Sequence, residues 1–414
     1  MSSLGFLSTG DGLIKGNMGL WDQNLAFRWL KDNIEQFGGD PERITIFGES
    51  AGGSSVHYHM LSPYSAGLFQ KAISQSGTAL QIWALSKHPK TQARKLARAM
   101  NCPINNSTIM ISCLRGVDAK KLVQYHISSM SAIRENTDLF VPTVDGDFIP
   151  DNPIDLLRNG SFAKIPWMTG VNAGEGLLNT GRILASRKVT ENIWQNWNKW
   201  IPLMLDYDPT RYDISWKIKQ YYFSQLAGKP IGDSAIANFT AMYSDRVYFL
   251  DSKRAAMLHA KHAPVYLYFY SYPGEVSFFR LFKAVMPSLG DIMAPELKIA
   301  MDVTKDFIRK YLLRQPMKYL DIPCHADELI LQFNTHRLIE INKNSRDYPV
   351  SKALVKSWAD FAKSNFTLTY QNSQWPPVSL TDSDKLSYMH ININGHMIPE
   401  PFTESTRFWE SMGF

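Results

Sequence analysis

Ser50 lies within Gly48-Glu49-Ser50-Ala51-Gly52, directly behind the apolar run Ile44-Thr45-Ile46-Phe47. A strand running into Gly-x-Ser-x-Gly predicts a nucleophile elbow, a tight strand-to-helix turn that lifts the serine hydroxyl clear of the sheet. Small residues on either side make that turn sterically possible. A serine hydroxyl is a poor nucleophile at neutral pH. It needs a histidine to take its proton and a carboxylate to hold that histidine in the right tautomer. In chains built on such an elbow the acid and then the histidine follow the serine, on loops that converge over the sheet edge.

Glu175 is the candidate acid. It follows the strand-like run Trp167 to Asn172, and Gly174 and Gly176 on either side would let the backbone approach other loops. Spacing alone fits a solvated loop glutamate equally well. Among the 10 histidines, His57 and His59 stand on the helix after the elbow, too near Ser50 in sequence to turn back on it. They are expected to pack the helix. His259 and His262 occupy a basic helical segment before a strand and are expected in solvent. His325, in Pro323-Cys324-His325-Ala326-Asp327-Glu328-Leu329, stands late in the chain where the base belongs. Its spacing does not by itself separate it from a surface histidine.

The elements that must carry these residues follow from periodicity. Leu20 to Phe37 has helix-like apolar spacing and stops at Gly38-Gly39; Arg43 to Phe47 reads as the elbow strand. Ser54 to Met60 continues the helix behind Ser50, its amino terminus toward the nucleophile. Ala72 to Gly77 reads as a short strand, and His88 to Met100 as a basic surface helix. Pro264 to Tyr272 is the clearest strand, and Leu386 to Ile393 a last one, closed by Asn394-Gly395. Strands alternating with helical segments predict an α/β fold with a mainly parallel sheet and helices on both faces.

With 414 residues, 44% of them hydrophobic, the chain can bury a large core. The net charge of +6 is spread along the chain, which argues against a nucleic-acid surface. No apolar run reaches the length of a membrane span. Of the 3 cysteines, Cys102 and Cys113 bracket a short polar loop that suits a local disulfide in an oxidising compartment; two reduced, buried thiols are the alternative. Asn105, Asn106, Asn159, Asn238 and Asn365 each head a glycosylation sequon. Taken with the disulfide they favour a secreted parent protein, although Met1 to Leu7 does not read as a signal peptide.

Several stretches resemble the type B carboxylesterase and cholinesterase family, its insect members most of all: GNMGLWDQNLAFRWLKDNIEQFGGDP, RITIFGESAGG, AISQSG, FVPTVDGDFIPD, GVNAGEG and HADEL. Phe361-Ala362, Trp375-Pro376-Pro377 and Arg407-Phe408-Trp409 also fit. The resemblance runs through nearly the whole chain in the family's order. It implies one esterase domain over residues 1–414 with the α/β-hydrolase fold, Ser50 as nucleophile, Glu175 as acid and His325 as base. It further implies pairing of Cys102 with Cys113, the Ala51 amide as an oxyanion donor, small carboxylic esters as substrates, and no cofactor or metal.

Two departures carry expectations of their own. No HGGG-like loop, the family's main source of oxyanion amides, occurs between Met1 and Ser50. The resemblance also begins beyond the family's first strands. The chain is therefore expected to be a shortened form of a longer secreted esterase, with an unpaired strand edge beside an apolar face and little turnover of its own. The stretch from Glu175 to His325 is also longer than the family usually allows. The excess falls between Glu275 and Pro323 and reads as a solvated amphipathic helix. Non-catalytic, cholinesterase-like adhesion proteins are the alternative from another class, but such relatives typically lose the serine that this chain keeps.

Overall fold

The structure, a computed structural model, describes residues 2–129, 140–184, 187–226, 235–275, 277–278, 322–333, 341–363, 367–380 and 386–414. The expected insert, save residues 277–278 and 322, and the sequon at Asn365 lie outside these. The chain divides into two compact units.

The first unit comprises Met1–Trp167, Pro202–Tyr207 and Arg254–Pro264. Its strands β1 (Thr45–Glu49) and β2 (Lys71–Gln75) pair in parallel, from Thr45 opposite Lys71 to Glu49 opposite Gln75. Parallel pairing requires a crossover, and helix Ala51–Leu61 supplies it. β1 begins later than Arg43 because Pro41–Arg43 forms a 3-10 turn, with the Asp40 carboxylate accepting from the Glu42 amide at 2.8 Å. The predicted helix from Leu20 appears as Met18–Asn33 and tightens into a 3-10 turn, Ile34–Phe37, before Gly38.

Cys102 and Cys113 form a disulfide, their Cα atoms 5.7 Å apart. It sits in a core cluster with Leu96 and Ala97 of helix Pro89–Ala99 and Met110, Ile111 and Leu114 of helix Ser107–Arg115. The helix expected on the surface thus buries one face. His57 and His59 pack the elbow helix as expected. His57 Nδ1 accepts from the Ala79 amide at 3.0 Å, and His59 meets Ser65 Oγ at 2.8 Å and Gln23 Oε1 at 2.9 Å.

His259 corrects the sequence reading. It is wholly buried, its Nε2 donating to the Ile165 carbonyl at 3.0 Å and its ring lying 5.2 Å from that of Trp167. The basic residues around it belong to other faces of the helix. The buried carbonyl needs a donor, and histidine supplies one with an aromatic face to pack. His262, three residues on, is exposed as expected.

The second unit comprises Met168–Ile201, Asp208–Lys253 and Val265–Phe414. Strand β3 (Trp167–Asn172) lies beside β4 (Val265–Tyr270). Bonds from Trp167 N to Pro264 O and from Ala173 N to Tyr270 O, each 2.9 Å, advance in step, so the two strands run parallel. Every residue of β3 is buried, as befits a strand covered on both faces. A small antiparallel hairpin joins β5 (Leu368–Tyr370) to β6 (Ser373–Trp375).

Strand β7 (Ser387–Ile391) pairs in parallel with β4, and β8 (His396–Pro399) folds back antiparallel on β7. The Asn394-Gly395 turn therefore opens a hairpin and does not end the sheet. Helix Asp347–Lys363 lays Trp358 against Tyr268, ring centroids 5.2 Å apart, and Phe361 against Tyr266 at 5.6 Å. Parallel strands, crossover helices and a single antiparallel edge make the fold α/β, as predicted. Among the described residues no helix is long and apolar enough to cross a membrane.

Candidate active site

Ser50 follows β1 directly and precedes the first residue of the elbow helix. Its backbone stands at φ 57° and ψ −120°, a region that costs a non-glycine residue about 1–3 kcal/mol. The surroundings hold it there. Ser50 N donates to Gln75 O at 2.8 Å, tying the elbow to the end of β2, and Ser54 N donates to Ser50 O at 3.0 Å. The turn is tight enough that a Cβ at Gly48 would stand 2.5 Å from the carbonyl carbon of Gly52. Ala51 opens the helix, so its amide is among the first-turn donors that have no acceptor within the helix.

Glu175 and His325, distant in sequence, meet in the second unit. His325 Nδ1 lies 2.6 Å from Glu175 Oε2, and both side chains are buried. A bond between carboxylate and Nδ1 fixes the tautomer, leaving Nε2 free of the proton and able to take one. The other carboxylate oxygen, Oε1, accepts the Asn172 amide at 2.7 Å. Gly174 N donates to Pro323 O at 2.9 Å, bringing the loop after β3 alongside the histidine loop. A Cβ at Gly174 would lie 2.8 Å from that same oxygen, so the close approach depends on glycine.

Asp327 is a part of the site that sequence reasoning passed over. Its carboxylate accepts the Cys324 amide at 2.8 Å and the Phe278 amide at 2.6 Å, which clamps the turn holding His325. Burial pushes its pKa up to about 6, against the lowering effect of those hydrogen bonds. The signal was an acid two residues after the histidine, in the first turn of a helix, where acids are enriched. The ring of Tyr248 lies 5.0 Å from the His325 ring, another contact that spacing could not show. Among the described residues no group of His, Cys, Asp and Glu could hold a metal ion.

Asn105, Asn106 and Asn159 are exposed. Asn106 also uses its side-chain oxygen to cap helix Ser107–Arg115, accepting from Ile109 N at 3.1 Å. Asn238 is half-buried, with its side-chain nitrogen donating to the Tyr222 carbonyl.

A serine elbow leaving a parallel strand, and a carboxylate–imidazole pair built on loops behind later strands, are the elements of an α/β-hydrolase. Residues 1–409 match the model of the carboxylesterase family, and the chain belongs to that family. It is 33% identical over 402 residues to venom carboxylesterase-6 of Apis mellifera, covering 94% of this chain and 65% of that protein. It is 41% identical over 286 residues to a carboxylic ester hydrolase of Bombus ignitus, covering 66% of this chain and 50% of that protein. A third relative, neuroligin-2 of Rattus norvegicus, is 38% identical over 275 residues, 64% of this chain and 32% of that protein. The chain thus spans between half and two thirds of the length of the two insect relatives.

Proposed function

We propose that residues 1–414 form one carboxylesterase domain that cleaves small carboxylic esters through an acyl-enzyme, with Ser50 as nucleophile, His325 as base and Glu175 as acid. The observation that carries this reading is the buried 2.6 Å bond between Glu175 Oε2 and His325 Nδ1. A buried carboxylate spent on one imidazole tautomer is what a general base requires.

Ser50 Oγ attacks the acyl carbon while His325 Nε2 takes its proton. The tetrahedral oxyanion lies toward the amide of Ala51. Collapse expels the alcohol, which leaves with the proton held on His325. The same imidazole then draws a proton from water, whose oxygen attacks the acyl carbon; collapse breaks the bond to Ser50 Oγ, which takes the proton back from His325 as the acid is released. Oxyanion donors are each worth about 10²–10³ in kcat. Residues 1–50 hold no HGGG-like loop, so turnover by this chain alone is expected to be slow.

The disulfide, the sequons at Asn105, Asn106, Asn159, Asn238 and Asn365, and the similarity to a honeybee venom carboxylesterase support a secreted, glycosylated parent. The test is reaction with a fluorophosphonate, which requires an activated serine but no deacylation. Mass spectrometry should find the adduct on Ser50, and either Ser50→Ala or His325→Gln should abolish it. A wild-type chain, folded by circular dichroism, that takes no label would refute the reading. A binding protein that keeps the fold without catalysis is the second reading; the neuroligin-2 match fits it, but is weaker than the esterase matches.

A further inference from the structure

We propose that Asn172 is the positioning residue of the acid–base pair, a single side chain and amide that hold the acid and the base's loop in register. This deepens the assignment of Glu175 and His325 as acid and base, and rests on it. Asn172 is the last residue of β3 and is wholly buried. Its backbone N–H donates to Glu175 Oε1 at 2.7 Å, leaving Oε2 for His325 Nδ1 at 2.6 Å. The two carboxylate oxygens are thus divided between the strand end and the imidazole, which fixes the rotation of the carboxylate.

The side chain works on the other partner. Asn172 Nδ2 donates to the carbonyl of Cys324, the residue before His325, at 2.9 Å, and also to Glu328 Oε2 in the helix that follows. Both amide protons are engaged, and reversing the amide would set its oxygen against two acceptors. Asn172 Oδ1 is buried with no hydrogen-bond partner among the described residues. An unpaired buried acceptor is a cost of about 1–3 kcal/mol. Asparagine is therefore held here for its two donors. Any slide of the histidine loop past the acid must break a bond to this one residue, and β3 is too enclosed to follow.

The geometry separates positioning from folding. Asp327 grips the same turn from the Cys324 amide, so loss of the Asn172 donors should loosen the register of the pair without unfolding the loop. A misplacement approaching 1 Å costs up to about a hundredfold in rate.

The experiment uses the full chain and Asn172→Leu, which keeps the branched heavy-atom skeleton and loses both side-chain donors. Two quantities are read: the fluorophosphonate labelling rate of Ser50 at saturating reagent, and the downfield proton signal of His325 Nδ1–H, assigned by its absence in Glu175→Gln. Asn172→Leu should lower the saturating rate at least tenfold with little change in half-saturation, and should move or erase the proton signal, with circular dichroism unchanged. If that variant does not fold, Asn172→Ser carries the same readouts. A folded variant with wild-type rate and an unmoved signal overturns the proposal. A wild-type chain that takes no label, while the signal still moves in the variant, sustains the positioning role and overturns the hydrolase reading alone.

Discussion

At the scale of single residues, the elbow shows how much geometry a short motif can carry. Ser50 was placed by its neighbours alone, and its left-handed backbone follows from the turn those neighbours build. Gly48→Ala tests that dependence, because its new Cβ would sit 2.5 Å from the Gly52 carbonyl carbon. Overpacking of this kind costs about 1–3 kcal/mol or more, so the melting temperature should fall and labelling of Ser50 with it. An unshifted melt with full labelling would mean the elbow has slack that the geometry denies. The acid and the base were legible only as candidates, because a loop glutamate and a loop histidine carry no periodic signal. Asn172 and Asp327 were less legible still: their roles lie in which amide each faces, and sequence spacing is silent about that.

Elements were read well where both faces are buried and poorly where polar residues are buried. β3 was predicted to the residue because six consecutive buried positions leave a continuous run. Helix Leu250–Ala260 was misjudged because Lys253, Arg254 and Lys261 flank His259 and suggest solvent. Lys253 is itself buried against Glu400 at 3.1 Å. The buried imidazole gives this region a pH dependence. His57 and His259 lie against Trp167, at 4.7 and 5.2 Å between ring centroids. Burial pushes His57 down to about 3 and His259 down to about 4, from 6.5.

Because both folded values lie below the unfolded one, the folded chain holds fewer protons over this range. The stability these groups contribute is intact above about pH 6.5 and is lost as pH falls toward 4, by about 3 kcal/mol for His259. Asp245 and Asp327, both pushed up to about 6 by burial, act in the opposite sense over part of that window, so the whole chain is a poor reporter. His259→Gln isolates the effect. Its melting temperature should be lower than the wild type's at pH 7.5, and the gap should narrow by pH 4.5. Two parallel curves would sink the assignment.

For the molecule as a whole, the exposed apolar residues of the first unit are expected to govern self-association. On helix Met18–Asn33, Leu25 and Trp29 stand one turn apart, 67% and 52% exposed, and Phe37, 70% exposed, has its ring 5.9 Å from Trp29. Phe47, on the edge strand β1, is 54% exposed. Exposed apolar residues of this kind favour self-association. The double variant Leu25→Glu with Phe37→Lys should sediment as a smaller species than the wild type at equal concentration. An unchanged distribution would assign the patch no role in association.

The first unit draws on three separate stretches, the last of them Arg254–Pro264. That stretch brings His259 to the Ile165 carbonyl and the Pro264 carbonyl to the Trp167 amide. A fragment ending at Trp167 would carry Ser50 and its whole elbow, yet it would leave those two backbone groups unpaired and strip the His259 ring from the Trp167 indole. The chain cannot be dissected by a single cut. The half that holds the serine is completed by residues encoded long after it, and a minimal fragment must keep both together.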